Sequence, residues 1–75
     1  MQIGDRIKAR RIELGLTQDE LAKKLGYKSR STINKIELNI NDITQPKIID
    51  FAAALDTTVS YLMGLDSDTS EKSLS

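Results

Sequence analysis

Polar side chains between positions 30 and 35 have the chemistry needed to contact a polyanion. They combine positive charge with hydroxyl and amide groups and include no carboxylate: Arg30, Ser31, Asn34 and Lys35. The apolar residues Ile33, Ile36 and Ile40 recur at helical spacing and predict the inner face of the same helix. Such a polar face suits phosphates and the edges of nucleic-acid bases. The alternative is an amphipathic helix with an ordinary solvated face.

The residue types that carry most metal and covalent chemistry do not occur in the sequence. It contains no cysteine and no histidine, which excludes disulfides, thiol nucleophiles and the usual zinc ligands. Of the close carboxylate pairs, Asp19 with Glu20 falls at a predicted helix start and Asp66 with Asp68 in a polar tail. We therefore predict no enzymatic activity, no cofactor, no metal and no small-molecule ligand.

The stretch over residues 16–37 predicts two short helices joined by a glycine turn. Thr17 and Glu20 have the spacing of a capping box, which starts a helix. Gly26 stands where a residue of left-handed conformation ends a helix at low cost. Ser29 is a good N-cap for the next helix, which carries the polar side chains described above.

Helix-ending and helix-starting residues place three further helices. The first begins near residues 4–5 and is closed by Gly15. The fourth follows a polar loop and begins at Pro46. A short fifth helix is capped by Thr58 and stopped by Gly64. The predicted fold is therefore all-α, with five helices.

Length and composition allow one domain with one core. The 75 residues are 39% hydrophobic, and the aromatic ring of Phe51 is predicted to pack at the centre. We assign residues 1–65 to the domain and residues 66–75, with one apolar residue in ten, to a disordered tail or linker. No apolar run approaches the roughly 18 residues of a membrane span, and no signal peptide is evident. We expect a cytoplasmic protein without membrane contacts.

Charge is distributed unevenly along the chain, although the net charge is zero. Residues 1–36 hold nine basic and four acidic side chains, a formal charge of +5, and residues 37–75 carry −5. A basic half that contains the two-helix unit could orient the domain on DNA. Alternatively, the basic side chains are merely solvated.

Two further features concern contacts within or between copies of the domain. Arg11 follows Ile7 by four residues on an apolar stripe, so it needs a partner, for which Glu37 is the candidate. Alternatively, the Arg11 stem lies on apolar surface with its head group in solvent.

The fifth helix is highly apolar for its length, so its residues either pair with a second copy or close the core. The candidate dimer contacts are Val59, Tyr61 and Met63.

With these residues in place, the chain closely resembles the N-terminal DNA-binding domain of the phage repressor and Cro family, also described as lambda repressor-like or Xre-type. The matching runs are RIKARRIELGLTQDELAKKLG, STINKIE and PKIIDFAAALDTTVSYLMG, within residues 3–64. The resemblance implies a compact five-helix domain with the helix-turn-helix at helices 2 and 3. In that family the second helix crosses the major groove and the third enters it.

The resemblance also implies roles for individual residues. Base-reading positions of the family match Arg30, Ser31 and Lys35, with Asn34 and Thr32 as contributors. The family's phosphate-contacting glutamine at the start of helix 2 matches Gln18. From the residue types in the turn and in the loop after helix 3, we also expect phosphate contacts from Lys28, Asn39 and Asn41. The family's structural salt bridge between helices 1 and 3 matches Arg11 and Glu37, in agreement with the spacing argument.

This chain departs from the family pattern in two places. Ile33 follows Gly26 by seven positions, one more than usual, so the assignments of Arg30 and Ser31 could shift by one position. The loop after helix 3 reads Leu38-Asn39, where the family commonly has asparagine and glycine, and it lacks the frequent basic residues.

The resulting hypothesis is a transcriptional regulator that binds specific double-stranded DNA. The resemblance favours a phage or prophage-type repressor that binds a palindromic operator through the major groove as a homodimer. The alternative is a protein-interaction module of the same fold, as in an antitoxin, an anti-repressor or a developmental regulator.

Overall fold

The computed structural model of the protein describes residues 2–65, and this part is all-helical. The helices are α1 (Ile3–Glu13), α2 (Gln18–Leu25), α3 (Arg30–Glu37), α4 (Gln45–Ala54) and α5 (Val59–Leu62). The predicted all-α class and helix order are confirmed. The tail predicted over residues 66–75 lies outside the described residues. None of the described helices has both the length and the apolar character that crossing a membrane requires.

Local capping interactions define both ends of α2. The Thr17 hydroxyl accepts a hydrogen bond from the Glu20 N–H at 3.0 Å, and the Thr17 N–H donates to the Glu20 carboxylate at 2.8 Å. This reciprocal pair is the predicted capping box. Gly26 adopts a left-handed conformation with φ of 80° and ends the helix. In α5, the Thr58 hydroxyl accepts from the Tyr61 N–H at 3.0 Å, as its predicted cap.

The core lies where all five helices meet. Six large side chains are fully buried there: Ile7, Leu21, Ile33, Phe51, Leu55 and Leu62. Phe51 occupies the centre predicted for it. Burial of these apolar groups fixes the faces of the short helices, whose own propensity is too weak to hold them in water.

Ile40 does not belong to the core, so the prediction that it shares the inner face of α3 was wrong. Its side chain is 65% exposed. The cause is Asn39, which has φ of 62° and turns the chain away after α3 has ended. The Ile40 N–H then donates to the Lys35 carbonyl at 2.9 Å, the pattern of a Schellman-type helix end. Helical spacing therefore stops before residue 40.

Hydrogen bonds from α1 hold it against the C-terminal ends of α3 and α4. At its N-terminus, the Gly4 N–H donates to the Asn39 side-chain oxygen at 2.9 Å. A Cβ atom on Gly4 would overlap the carbonyl oxygens of Ile36 and Glu37, so glycine allows α1 to approach the end of α3. Further along α1, the Arg10 guanidinium donates to the carbonyl of Leu55 at 2.9 Å, at the end of α4.

Candidate nucleic-acid interface

A buried ion pair fixes the orientation of α3. The Arg11 Nε and Nη2 atoms donate to the two carboxylate oxygens of Glu37 at 2.6 and 3.1 Å. Arg11 Nη1 also donates to the Leu16 carbonyl at 2.8 Å. The two charged side chains are only 11% and 2% exposed, so the guanidinium of Arg11 does not extend into solvent. The pair ties α1, the start of α2 and the end of α3 to one another.

Gln18 extends this network from the buried pair to the surface. Its side-chain Nε2 donates to Glu37 Oε1 at 3.1 Å and to Asn34 Oδ1 at 3.3 Å. A primary amide nitrogen has two N–H donors, so both are used inside the protein. The side-chain donors of Gln18 therefore do not face outward in this structure, although the sequence assigned it a phosphate contact.

The exposed face of α3 carries the side chains to which base reading was assigned. Four of them are exposed: Arg30, Ser31, Asn34 and Lys35. Thr32 is half-buried on the flank of the helix. At about 100° per residue, Ser31 and Lys35 lie opposite the buried Ile33 and Ile36. The face presents guanidinium, hydroxyl, ammonium and amide groups together, without an exposed carboxylate on the helix.

The extra residue between α2 and α3 lies in the turn, before α3 begins at Arg30. The Tyr27 N–H donates to the Ala22 carbonyl at 2.9 Å, which continues the end of α2. The Ser29 hydroxyl then accepts from the Ser31 N–H at 3.1 Å and caps α3. Arg30 is thus the first residue of the helix, and Lys28 is exposed in the turn.

A cation from α4 joins this surface, and the sequence reasoning missed it. The Lys47 ammonium lies 5.0 Å from the centre of the Tyr27 ring. That ring in turn lies 6.4 Å from the Phe51 ring of the core. Lys47 is the sole basic residue between positions 37 and 65, a segment that is otherwise acidic. That isolation was the signal in the sequence that could have pointed to a role for Lys47 at this surface. A cation over an aromatic face is favourable and positions the charge beside the turn.

The two asparagines assigned to phosphate contacts after α3 differ in their surroundings. The side chain of Asn39 faces α1, where it accepts from Gly4 and donates to Asp5 Oδ1 at 3.4 Å. Asn41 is exposed and has Asp42 beside it. Only Asn41 of the two has a side chain directed to solvent.

The candidate dimer contacts around α5 are only partly exposed. Val59 and Tyr61 are half-buried, and the Arg6 guanidinium lies 5.6 Å from the centre of the Tyr61 ring. Met63 is 47% exposed and is followed by Leu65, at 59%. Leu62 closes the core while Met63 remains at the surface, and pairing of α5 with a second copy stays a prediction.

Comparison with known proteins agrees with this architecture. The sequence model of a helix-turn-helix family matches residues 7–62. A solved complex of the SinR protein with the SinI protein contains a similar chain, with a TM-score of 0.74 and 31% sequence identity. The match covers 97% of this chain and 71% of that chain. Within residues 2–65, no group of acidic side chains is arranged to hold a metal ion. The five-helix order, the α2–α3 unit and both matches show that this chain belongs to the helix-turn-helix family, in its phage repressor and Cro type, and is a DNA-binding transcription regulator.

Proposed function

We propose that this domain binds a specific palindromic DNA sequence as a dimer and represses transcription by excluding polymerase from it. The observation that carries the proposal is the exposed face of α3. It groups cationic, amide and hydroxyl side chains on a helix that a buried ion pair holds rigidly against α1 and α2. Rigid presentation matters because base reading needs side chains in fixed register with the groove.

Within this proposal, α3 enters the major groove and reads base edges. Arg30 and Lys35 donate to guanine, Ser31 and Asn34 contact neighbouring bases, and Thr32 contributes from the flank. One good bidentate contact is worth about 1–3 kcal/mol of discrimination between bases.

Phosphate contacts position the domain and carry no sequence information. We assign them to Lys28 in the turn, Lys47 above Tyr27, and Asn41 in the following loop. Because the side-chain donors of Gln18 are engaged, its contact to a phosphate would use the backbone N–H at the start of α2.

The dimer is proposed to form around α5. The support is the exposed apolar surface of Met63 and Leu65, which continues from the half-buried Val59 and Tyr61. A two-fold dimer would place two α3 helices in half-sites about one helical turn apart.

Selection of bound sequences from a random DNA pool tests the proposal most directly. The expected consensus is palindromic, with half-sites about 10 base pairs apart from centre to centre. On that consensus, Arg30→Ala is expected to weaken specific binding by about 1–3 kcal/mol and to leave binding to random DNA almost unchanged.

Lys24→Ala is the matched control, since it removes an exposed cation on the α4 side of α2, near Asp50. It is expected to change neither preference nor specific affinity appreciably. Equal losses on consensus and random DNA for Arg30→Ala would contradict the assignment of Arg30 to base reading.

A second candidate function is a protein-interaction module of the same fold. It is favoured by one observation, that the similar SinR chain is in a complex with the SinI protein. Binding of this domain to a random duplex at low salt, with strong salt dependence, would argue against an exclusive protein-binding role.

A further inference from the structure

A groove lies between α2 and α4, on a side of the domain that the proposed DNA and dimer contacts do not use. Its lining comes from the end of α2 and the second half of α4: Lys24, Leu25, Asp50, Ala53 and Ala54. None of these residues lies on the exposed face of α3. α2 packs against α3 and α4, whereas α5 packs against α1 and α4, so the groove is separate from the α5 surface. A molecule bound in the groove leaves both of those surfaces accessible.

The floor of the groove is apolar and has little bulk. Ala53 and Ala54 contribute only methyl groups, and Leu25 is half-buried beside them. The volume of about 500 Å³ has room for a branched aliphatic side chain. Such a side chain projects from the same surface, because Ile49 is 59% exposed and precedes Ala53 by four residues on one stripe of α4. A single exposed isoleucine is ordinary, but here it stands beside a cavity that fits its own kind.

Two charges of opposite sign line the groove without an ion-pair partner. Lys24 lies on α2 and Asp50 on α4, and both are exposed. Within residues 2–65 neither takes part in an ion pair, with the other or with a third side chain. A two-fold axis through the groove would bring Lys24 of each copy to Asp50 of the other. Both charges would then gain a partner.

We propose that this groove takes a second copy of the domain, and that copies on neighbouring DNA sites bind cooperatively through it. Ile49 of each copy enters the groove of the other. The commitment to a second copy follows from self-complementarity: projection, cavity and both charges occur on one face, as a two-fold contact requires. The cooperative role rests on the proposed function. Adjacent palindromic sites are themselves related by a two-fold axis midway between them, so the contact has the symmetry of such DNA.

The contact is small, so it is expected to be weak in solution. It places one large apolar side chain per copy, Ile49, in a cavity, whereas a stable interface uses about 20–30 residues a side. Neighbouring sites on one DNA molecule hold two copies at an effective concentration of about 1 mM. A dissociation constant of about 0.1 mM then raises occupancy of the second site about tenfold. The contact therefore acts mainly on DNA.

A measurement without DNA tests the contact itself. The full chain is studied by NMR at concentrations from well below to well above this dissociation constant. Amide signals of Leu25, Ile49 and Ala53 are expected to shift together as the concentration rises. Ile49→Ser should abolish these shifts. The matched control is Ile12→Ser, because Ile12 is an isoleucine of equal exposure, 57%, on α1, and it should leave the shifts unchanged.

Exchange of the two charges distinguishes contact between copies from pairing within one copy. Lys24→Asp brings two carboxylates together at both ends of the contact, and Asp50→Lys brings two ammonium groups together. Neither variant alone should show the shifts. An equal mixture of the two should show them again, because each carboxylate then faces an ammonium group of the other variant. Pairing within one copy cannot produce this rescue.

The controls for this exchange are Lys8→Asp and Asp42→Lys, which reverse exposed charges outside the groove. Each alone should associate like the wild type, and mixing them should add nothing. Salt at about 0.15 M screens effects of net charge over distances beyond about 8 Å.

The DNA experiment uses two copies of the sequence that the wild type selects, on one duplex. Their spacing is increased one base pair at a time through a helical turn. Binding to the second site should be about tenfold tighter at one phase. It should become independent about five base pairs away, where the copies lie on opposite faces of the DNA. Ile49→Ser should bind a single site like the wild type but lose the phase dependence, which Ile12→Ser should retain.

The outcomes separate this inference from the function on which it rests. If the wild type selects no DNA sequence, sequence-specific binding fails, and the NMR measurements still decide whether the groove takes a second copy. Groove signals that stay constant with concentration, or no rescue in the mixture, would overturn the proposal and leave the groove to an unlike protein. Independent binding at every spacing, with sequence-specific binding intact, would overturn the cooperative role.

Discussion

Loss of one partner from the pair formed by Arg11 and Glu37 is expected to destabilise the domain strongly, because it leaves the other charge buried and unpaired. Glu37 is 2% exposed and accepts hydrogen bonds from Arg11 and Gln18. Arg11→Met would leave a buried carboxylate with one amide partner, and Glu37→Leu would leave a largely buried guanidinium. Breaking a buried pair in this way costs about 3–5 kcal/mol.

That loss is large against the stability of a domain of this size. About 0.05–0.15 kcal/mol per residue gives roughly 3–10 kcal/mol for some 65 residues. A shift in Tm of about 4–8 °C per kcal/mol then corresponds to a decrease of about 12–40 °C for either single variant. The double variant with Arg11→Met and Glu37→Leu should lose less than either single one, because no charge is left unpaired.

Urea unfolding followed by circular dichroism measures these differences. The midpoint should shift with little change in the m-value, which would show that stability and not the unfolded state has changed. Glu13→Gln is the control, since it breaks an ion pair with Arg10 in which the Glu13 side chain is 65% exposed. It should cost less than about 1 kcal/mol. Small, additive losses for Arg11→Met and Glu37→Leu would refute the reasoning.

Three further predictions concern the ends of the helices and the DNA surface. Gly4→Ala should lower the free energy of unfolding, measured with urea, by about 1–3 kcal/mol, since its Cβ would overlap carbonyl oxygens at the end of α3. Thr17→Ala should cost about 1 kcal/mol in thermal unfolding, whereas Thr44→Ala should cost less, because the Thr44 side chain makes no capping hydrogen bond. Lys28→Ala should reduce the slope of log affinity against log salt by about one unit without changing base preference, and Lys24→Ala should leave the slope unchanged.

The parts of this fold that the sequence predicted are those set by short-range chemistry. Thr17 and Glu20, which cap the start of α2, are three residues apart. Gly26 ends the helix because glycine adopts the left-handed conformation without a steric cost, whatever its neighbours. Both ends of α2 therefore follow from local rules. The pairing of Arg11 with Glu37 spans 26 residues but was still accessible. A charge on an apolar stripe must find an opposite charge, and few carboxylates were suitably placed.

The features that the sequence did not predict depend on how separate segments meet. Ile40 fits the spacing of α3, but the left-handed Asn39 ends the helix before it, and asparagine adopts that conformation only where the surroundings favour it. Gly4 matters because α1 approaches α3 closely, and nothing within the helix indicates that approach. The position of Lys47 over Tyr27 likewise depends on the packing of α4 against the turn.

The charge asymmetry of the sequence has a different meaning once the side chains are placed. Of the nine basic residues in the first half, Arg10 and Arg11 bind carbonyls and carboxylates of the protein, and Arg6 lies against Tyr61. Of the six that remain, only Lys28, Arg30 and Lys35 lie in the turn before α3 or on α3 itself, and Lys47 joins them from α4. A single domain can therefore neutralise only a few phosphates, and each contributes a limited electrostatic term. Tight binding then requires either base contacts of high quality or two domains bound together, which is the physical reason that a dimer accompanies sequence-specific reading in our proposal.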